Sequence, residues 1–212
     1  MRIIGGIAAG RLLKVPAGLA VRPTPDLVRQ AVFNSLGSRV AGARVLDLFS
    51  GSGAMGLECL SRGAAEVISV ERSSRHAGFI RANRAATGLS AAHHEVRVQD
   101  VFAALPQLAA EGRSFDLILA DPPFGEKNVG RRSESVSQAL LDSAELPRLL
   151  APEGLLVLGH ARRDTLTVPP PWDEAKVLQH GDSVMRMLRC WIAARTEAPT
   201  GPGFPPALQG PT

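Results

Sequence analysis

Two short stretches hold residues whose types and order could do chemistry: Asp47-Leu48-Phe49-Ser50-Gly51-Ser52-Gly53 and Asp121-Pro122-Pro123-Phe124. The first follows a buried-type apolar run and opens a helix-like one. Its glycines let the backbone turn tightly, and the N–H groups at the head of the next helix point outward at a ligand. That placement suits a nucleoside cofactor lying over Gly51 and Gly53. Gly51 to Gly56 also spells GxGxxG, and Glu71 falls 18 residues after Gly53, as in dinucleotide-binding folds. The glycine loop alone leaves NAD and S-adenosylmethionine (SAM) both open.

Asp47 favours SAM. A carboxylate at the end of the first strand attracts the amino group of a cationic sulfonium ligand and repels a pyrophosphate. Glu71 is expected to accept hydrogen bonds from both ribose hydroxyls under either reading, a charge-assisted interaction of about 1.5–3 kcal/mol. Asp100, with the Val101 N–H beside it, stands where an acid reaches an adenine amino group, and it can at the same time cap a helix starting near Val101. Phe49 and Ser50 inside the loop and Arg72 beside Glu71 complete the expected cofactor contacts of this core.

Asp121-Pro122-Pro123-Phe124 follows the strand-like run Phe115 to Ala120. It therefore lies at a strand's carboxyl end, across the topological switch from Gly51. The prolines fix φ and remove two donors, leaving a rigid turn whose carbonyls face a pocket. An exocyclic amine on a base is a poor nucleophile because its lone pair is delocalised into the ring. The Asp121 carboxylate and the Pro122 carbonyl can hold such an NH2 group for in-line attack. Phe124 offers a stacking face worth about 1–3 kcal/mol. In isolation this tetrapeptide is more often a structural turn; after the glycine loop, with Glu71 and Asp100 between in order, Asp121, Pro122, Pro123 and Phe124 read as the methyl-acceptor site.

Cytosine C5 chemistry requires a nucleophilic cysteine. Cys59 falls inside a helix and Cys190 inside the last predicted strand, so both read as buried fillers. They show neither CxxC spacing nor His clustering, and no metal is expected. His93-His94 reads as solvated surface.

The elements that must position these residues are legible from residue 43 onward, where apolar runs alternate with helix-like stretches around a mostly parallel sheet. Val45–Phe49, Val67–Glu71, Val96–Gln99, Leu117–Ala120 and Leu155–Leu158 are expected strands; Ala175–His180 and Val184–Ala193 form a closing hairpin. Residues 54–62, 74–87 and 135–149 have helical spacing, with Ser73 or Ser74 capping the second. Arg2 to Val15 reads as a β-hairpin turning near Gly10. Thr24-Pro25-Asp26 looks like a helix start with Thr24 as cap, running to about Ser38 with Leu27, Ala31 and Asn34 or Ser35 along one side.

With 212 residues and 45% hydrophobic content, one catalytic domain with a small appendage is the expectation. We divide the chain into an N-terminal hairpin (1–22), a catalytic domain (23–195) and a Pro- and Gly-rich tail (196–212) expected to be disordered. No apolar run reaches the roughly 20 residues that span a bilayer, and Met1 to Gly6 lacks a signal peptide's apolar core. A cytoplasmic monomer without membrane contact is expected. Residues 1–44 carry seven Lys and Arg against one acid, Asp26, so the basic character sits at the N-terminus and suggests a polyanionic partner.

With these residues in place, the chain resembles the 16S ribosomal RNA guanine-N2 methyltransferases of the RsmD family over about residues 2 to 192. The resemblance rests on Arg2 to Gly6, Gly10-Arg11, Arg22-Pro23-Thr24, Val28-Arg29, Phe33-Asn34, Leu46 to Gly53, Gly56 to Glu58, Leu60 to Ala64, Glu71, Asn83 and Asp121 to Phe124. It implies a doubly wound, Rossmann-like class I α/β fold: seven strands, mostly parallel, with a C-terminal antiparallel hairpin and an N-terminal β-hairpin extension. It further implies SAM as methyl donor, S-adenosylhomocysteine as product, and as acceptor a guanine in a 16S rRNA loop, within a small-subunit particle. Arg22, Thr24 and Asn34 would lie against the cofactor and the pocket entrance; Arg2, Arg11, Lys14 and Arg29 would hold phosphates. The chain departs from the family pattern at Gly159, where a Glu often follows the fifth strand, and at Ser50, where Ala is usual. Adenine-N6 or protein glutamine-amide methylation uses the same kind of amine and motif. An NAD-dependent oxidoreductase and a catalytically silent RNA-binding assembly protein are the rivals of other classes.

Overall fold

The computed structural model describes residues 1–15, 24–124, 127–128 and 131–191; the expectations for Arg22 and for the tail from 196 lie outside them. After helix α1 (Asp26–Leu36) the chain alternates β1 (Arg44–Leu48), α2 (Ala54–Ser61), β2 (Glu66–Glu71), α3 (Ser74–Thr87), β3 (His94–Val98), α4 (Val101–Ala110) and β4 (Phe115–Ala120). It continues with α5 (Val136–Leu141), β5 (Leu150–Ala161), β6 (Trp172–His180) and β7 (Ser183–Cys190). The seven strands form one sheet in the order β3-β2-β1-β4-β5-β7-β6, parallel except where β7 runs antiparallel to β5 and β6. This is the doubly wound α/β architecture with the closing hairpin that the apolar runs and the resemblance lead one to expect.

The central strands are apolar along nearly their whole length because both sheet faces are covered. On β1 and β2, Val45 and Val67 face one core with Val28, Val32 and Phe33 of α1 and Leu57 and Leu60 of α2. Leu46, Leu48, Ile68 and Val70 face the other, with Ala104, Leu105 and Leu108 of α4 and Leu140 and Leu141 of α5. The strand order reverses at β1, whose neighbours are β2 and β4. Leu48 pairs with Ala120, so Phe49 and Asp121 leave the sheet side by side at its carboxyl edge. Such a switch point opens the crevice in which α/β folds bind ligands.

Several local expectations change. Thr24 does not cap α1: Pro25 takes the cap position, without a side-chain bond to the helix. The buried face of α1 is Val28, Arg29, Val32, Phe33 and Leu36, while Leu27 is 61% exposed, so the line through Leu27 is the outer one. The 135–149 stretch breaks after Leu141 and restarts as a 3-10 turn at Leu146–Leu149. Pro147 stands in the first turn of the restart, where a missing N–H is tolerated. Strand β3 starts at His94, two residues early, and so buries it; its Nε2 lies 3.0 Å from Ser69 Oγ, and burial pushes its pKa down to about 4. Only His93 of that pair is surface. Gly159 lies inside β5 opposite Met185, not after it.

The N-terminal segment is antiparallel as expected, but its ladder shrinks to one bridge, Arg2 with Leu12. Backbone bonds still cross it, from Ile3 N to Arg11 O (2.9 Å), Gly10 N to Ile3 O (2.9 Å) and Leu13 N to Met1 O (3.0 Å), and side chains of α2 hold it to the core. The Glu58 carboxylate accepts from Ile4 N (2.7 Å) and Gly5 N (2.8 Å), and Ser61 Oγ accepts from Ala8 N (2.9 Å). Gly6, at φ 77°, passes so close that a Cβ would lie 1.9 Å from the Ser61 carbonyl oxygen.

Candidate functional site

The glycine loop is braced from below. Asp47, 3% exposed, accepts from Gly56 N at 3.1 Å, and Ser50 Oγ donates to the Asp47 carbonyl at 2.7 Å. Phe49 turns the chain at φ 57°, a left-handed conformation uncommon outside glycine and concentrated at functional sites. Glu71, 7% exposed, bridges two loops: Oε2 accepts from Gly51 N (2.9 Å) and Oε1 from Ser73 N (2.8 Å). Each oxygen keeps a second lone pair, so hydroxyls can still be accepted. Asp100 caps α4 by accepting from Phe102 N at 2.8 Å, and its remaining oxygen stays at the exposed edge. Val101 presents its N–H at the first helical position, where no intrahelical acceptor exists. Arg72 is exposed beside Glu71.

Across the switch point, Thr24 Oγ1 donates to Asp121 Oδ2, while Asp121 Oδ1 is shielded from solvent and has no hydrogen-bond partner among the described residues. Gly159 walls that oxygen so closely that a Cβ there would lie 2.2 Å from it. Pro122 is buried; Pro123 and Phe124 are exposed, Phe124 by 40%.

Burial raises the Asp121 pKa, opposed by the Thr24 bond. Burial likewise pushes Asp47 to about 7, and the charges of Asp121 and Glu71 push the same way. Three carboxyl groups thus crowd one end of the sheet, where a bound cation would favour their ionised forms. This acceptor set fits a ligand carrying an ammonium and a sulfonium, and it opposes the pyrophosphate of a dinucleotide.

Asn83 is a site residue whose role the sequence does not disclose. Buried on α3, it donates to Ser52 O and to Lys14 O, each at 2.9 Å, and accepts from Lys14 N at 2.8 Å. It joins the glycine loop to the N-terminal segment; besides its place in the family resemblance, the signal for it in the sequence is an amide on the buried face of a helix. Asn34 is not joined to the cluster: it is exposed on α1, and the next residue, Ser35, accepts from Lys176 of the edge strand β6. Arg29 requires a correction. It is fully buried, donating to Arg2 O (2.6 Å) and Asp26 Oδ1 (2.7 Å) beside Glu58, and cannot reach a phosphate. Arg2, Arg11 and Lys14 are exposed as expected.

A cleft of about 770 Å³ between α5 and Pro169 to Pro171 shares no residue with this cluster, which is marked by its chemistry rather than by volume.

The family described as conserved hypothetical protein 95 matches residues 1–189. The Bacillus subtilis protein named "Putative rRNA methyltransferase YlbH" is 36% identical over 162 residues, 76% of this chain and 83% of that protein. Ribosomal RNA small subunit methyltransferase D of Escherichia coli is 40% identical over 124 residues, 58% of this chain and 60% of that protein. A hypothetical protein of Thermus thermophilus, TTHA0928, superposes with a TM-score of 0.72 at 32% identity, covering 88% of this chain and 98% of the other.

Proposed function

The chain belongs to the conserved hypothetical protein 95 family, the RsmD family, and from that premise we propose that it methylates the exocyclic N2 of a guanine in a 16S rRNA loop. It is a SAM-dependent rRNA methyltransferase; the choice of guanine N2, of the small-subunit guanine-966 class, is the finer reading. The observation that carries methylation of an amine is Asp121 Oδ1, a shielded acceptor without a partner among the described residues, on the tetrapeptide that ends in the exposed Phe124 ring and across the switch point from the glycine loop; the guanine rests on the family resemblance and the basic N-terminal segment.

SAM supplies an electrophilic methyl group when bound. Asp47 would draw its ammonium, Glu71 would accept from the ribose and Asp100 with the Val101 N–H would meet the adenine. Phe124 stacks the guanine once it is unstacked from its loop. Asp121 Oδ1 and the Pro122 carbonyl accept from the N2 amino group, orient it in line, and oppose delocalisation of its lone pair into the ring. After transfer, the surplus proton leaves N2 for Asp121 or for water. Asp121→Ala should abolish transfer while calorimetric SAM binding survives; wild-type turnover in that variant would sink this mechanism.

Arg2, Arg11 and Lys14 make the N-terminal segment the RNA-facing part, and the partner is 16S rRNA within a small-subunit particle. The working form is a cytoplasmic monomer. Replacing SAM by NAD in the same titration tests the oxidoreductase alternative, for which binding of NAD but not of SAM is the required result.

A further inference from the structure

We infer that Thr24 is the positioning residue of the acceptor carboxylate and not a cofactor ligand: its hydroxyl holds Asp121 Oδ2 and leaves Oδ1, which no described residue engages, as the acceptor that the substrate amine must reach. The inference rests on the proposed role of Asp121. Thr24 stands at the head of α1, where a hydroxyl would ordinarily cap the helix, yet Pro25 takes the cap position and no side chain caps it. Its single proton goes instead to a carboxylate 97 residues away. Among the described residues it is the one side-chain donor to Asp121.

The rest of the arrangement makes that bond directional. Helix α1 is anchored by Val28, Val32 and Phe33 in the core and by the buried Arg29, which grips Asp26 Oδ1 and Arg2 O. Thr24 lies two residues ahead of this anchored helix. On the other side Gly159 lies against Oδ1 and presents no side chain to compete with a substrate.

A protonated Asp121 could not offer both oxygens as acceptors, so the carboxylate must stay ionised despite its burial. From β1, Asp47 bears a like charge on it; Gly159 of β5 and Met185 of β7 bring none. The Thr24 hydroxyl is the contact that favours the ionised form.

The test uses the full chain, with SAM binding by calorimetry and transfer of labelled methyl from SAM to unmethylated small-subunit particles. Thr24→Val should lower kcat about ten- to a hundredfold, leave the SAM Kd within about twofold, and move the acid limb of the kcat–pH profile upward. Thr24→Ser should restore both rate and limb. A loss appearing in SAM Kd rather than kcat would make Thr24 a cofactor ligand and overturn the inference. So would wild-type turnover in Thr24→Val, or a Thr24→Ser variant as slow as Thr24→Val. Asp121→Ala separates the two levels. Full activity there removes the foundation, whereas an inactive Asp121→Ala beside a fully active Thr24→Val rejects Thr24 alone.

Discussion

Asp47 combines burial with charge. Its carboxyl, pushed up to about 7 chiefly by burial, has an ordinary value near 3.9 in an unfolded chain. A raised acid stabilises the fold fully below the unfolded value, and that contribution is lost as pH rises through about 7. An ammonium bound beside it favours the ionised form and reverses the preference. SAM affinity should therefore rise between about pH 5 and pH 7 and then level, with proton release in that window. Calorimetry in buffers of different ionisation enthalpy reads both, and a flat affinity contradicts the assignment. Asp47→Asn should weaken SAM about tenfold or more and abolish the pH dependence, while raising the thermal midpoint of the free protein at pH 8 by a few degrees, on the order of 4 °C. A lowered midpoint there would mean that the ionised carboxylate is stabilising without ligand.

At the scale of elements, the site is made by the meeting of β1, β4 and β5 carboxyl ends with the head of α1. Gly159 is the closest of these approaches: a Cβ inside β5 would drive into Asp121 Oδ1 and against Met185 Sδ. Gly159→Ala should cost about 1–3 kcal/mol of stability by overpacking and remove methyl transfer while SAM still binds. Near-normal transfer would show that Oδ1 is not the working oxygen.

The same elements show what the residues alone can disclose. The strands are legible because each central one is a continuous apolar run, and both motifs fall where expected because each follows such a run. The alternation of strands and helices implies a mostly parallel sheet but not its strand order. What the pattern does not carry is pairing over long separations. Thr24 looks like a cap because caps are local, and its partner lies beyond any local window. Gly159 reads as a missing acid, since a close approach leaves no mark in a one-dimensional pattern. His94 and Arg29 read as surface from their polarity, although a hydroxyl and two acids respectively receive them inside.

For the whole molecule, the uneven charge divides into two jobs. Arg11 and Lys14 are exposed on the N-terminal segment, whereas Arg29 is an internal clamp between that segment and α1. Removing Arg11 or Lys14 should each reduce the salt slope of RNA binding by about 1 with stability unchanged. Arg29→Met should instead cost about 1–3 kcal/mol of stability and leave the slope alone; the opposite pattern would return Arg29 to the RNA face. On the proposed function, the basic segment delivers a guanine whose N2 Asp121 holds for methylation. The most direct measurement of that claim is nucleoside analysis by mass spectrometry of 16S rRNA methylated from labelled SAM by the wild-type chain and by Asp121→Ala. The predicted result is label in N2-methylguanosine alone, absent with the variant; label in N6-methyladenosine, or undiminished N2-methylguanosine with Asp121→Ala, would contradict it.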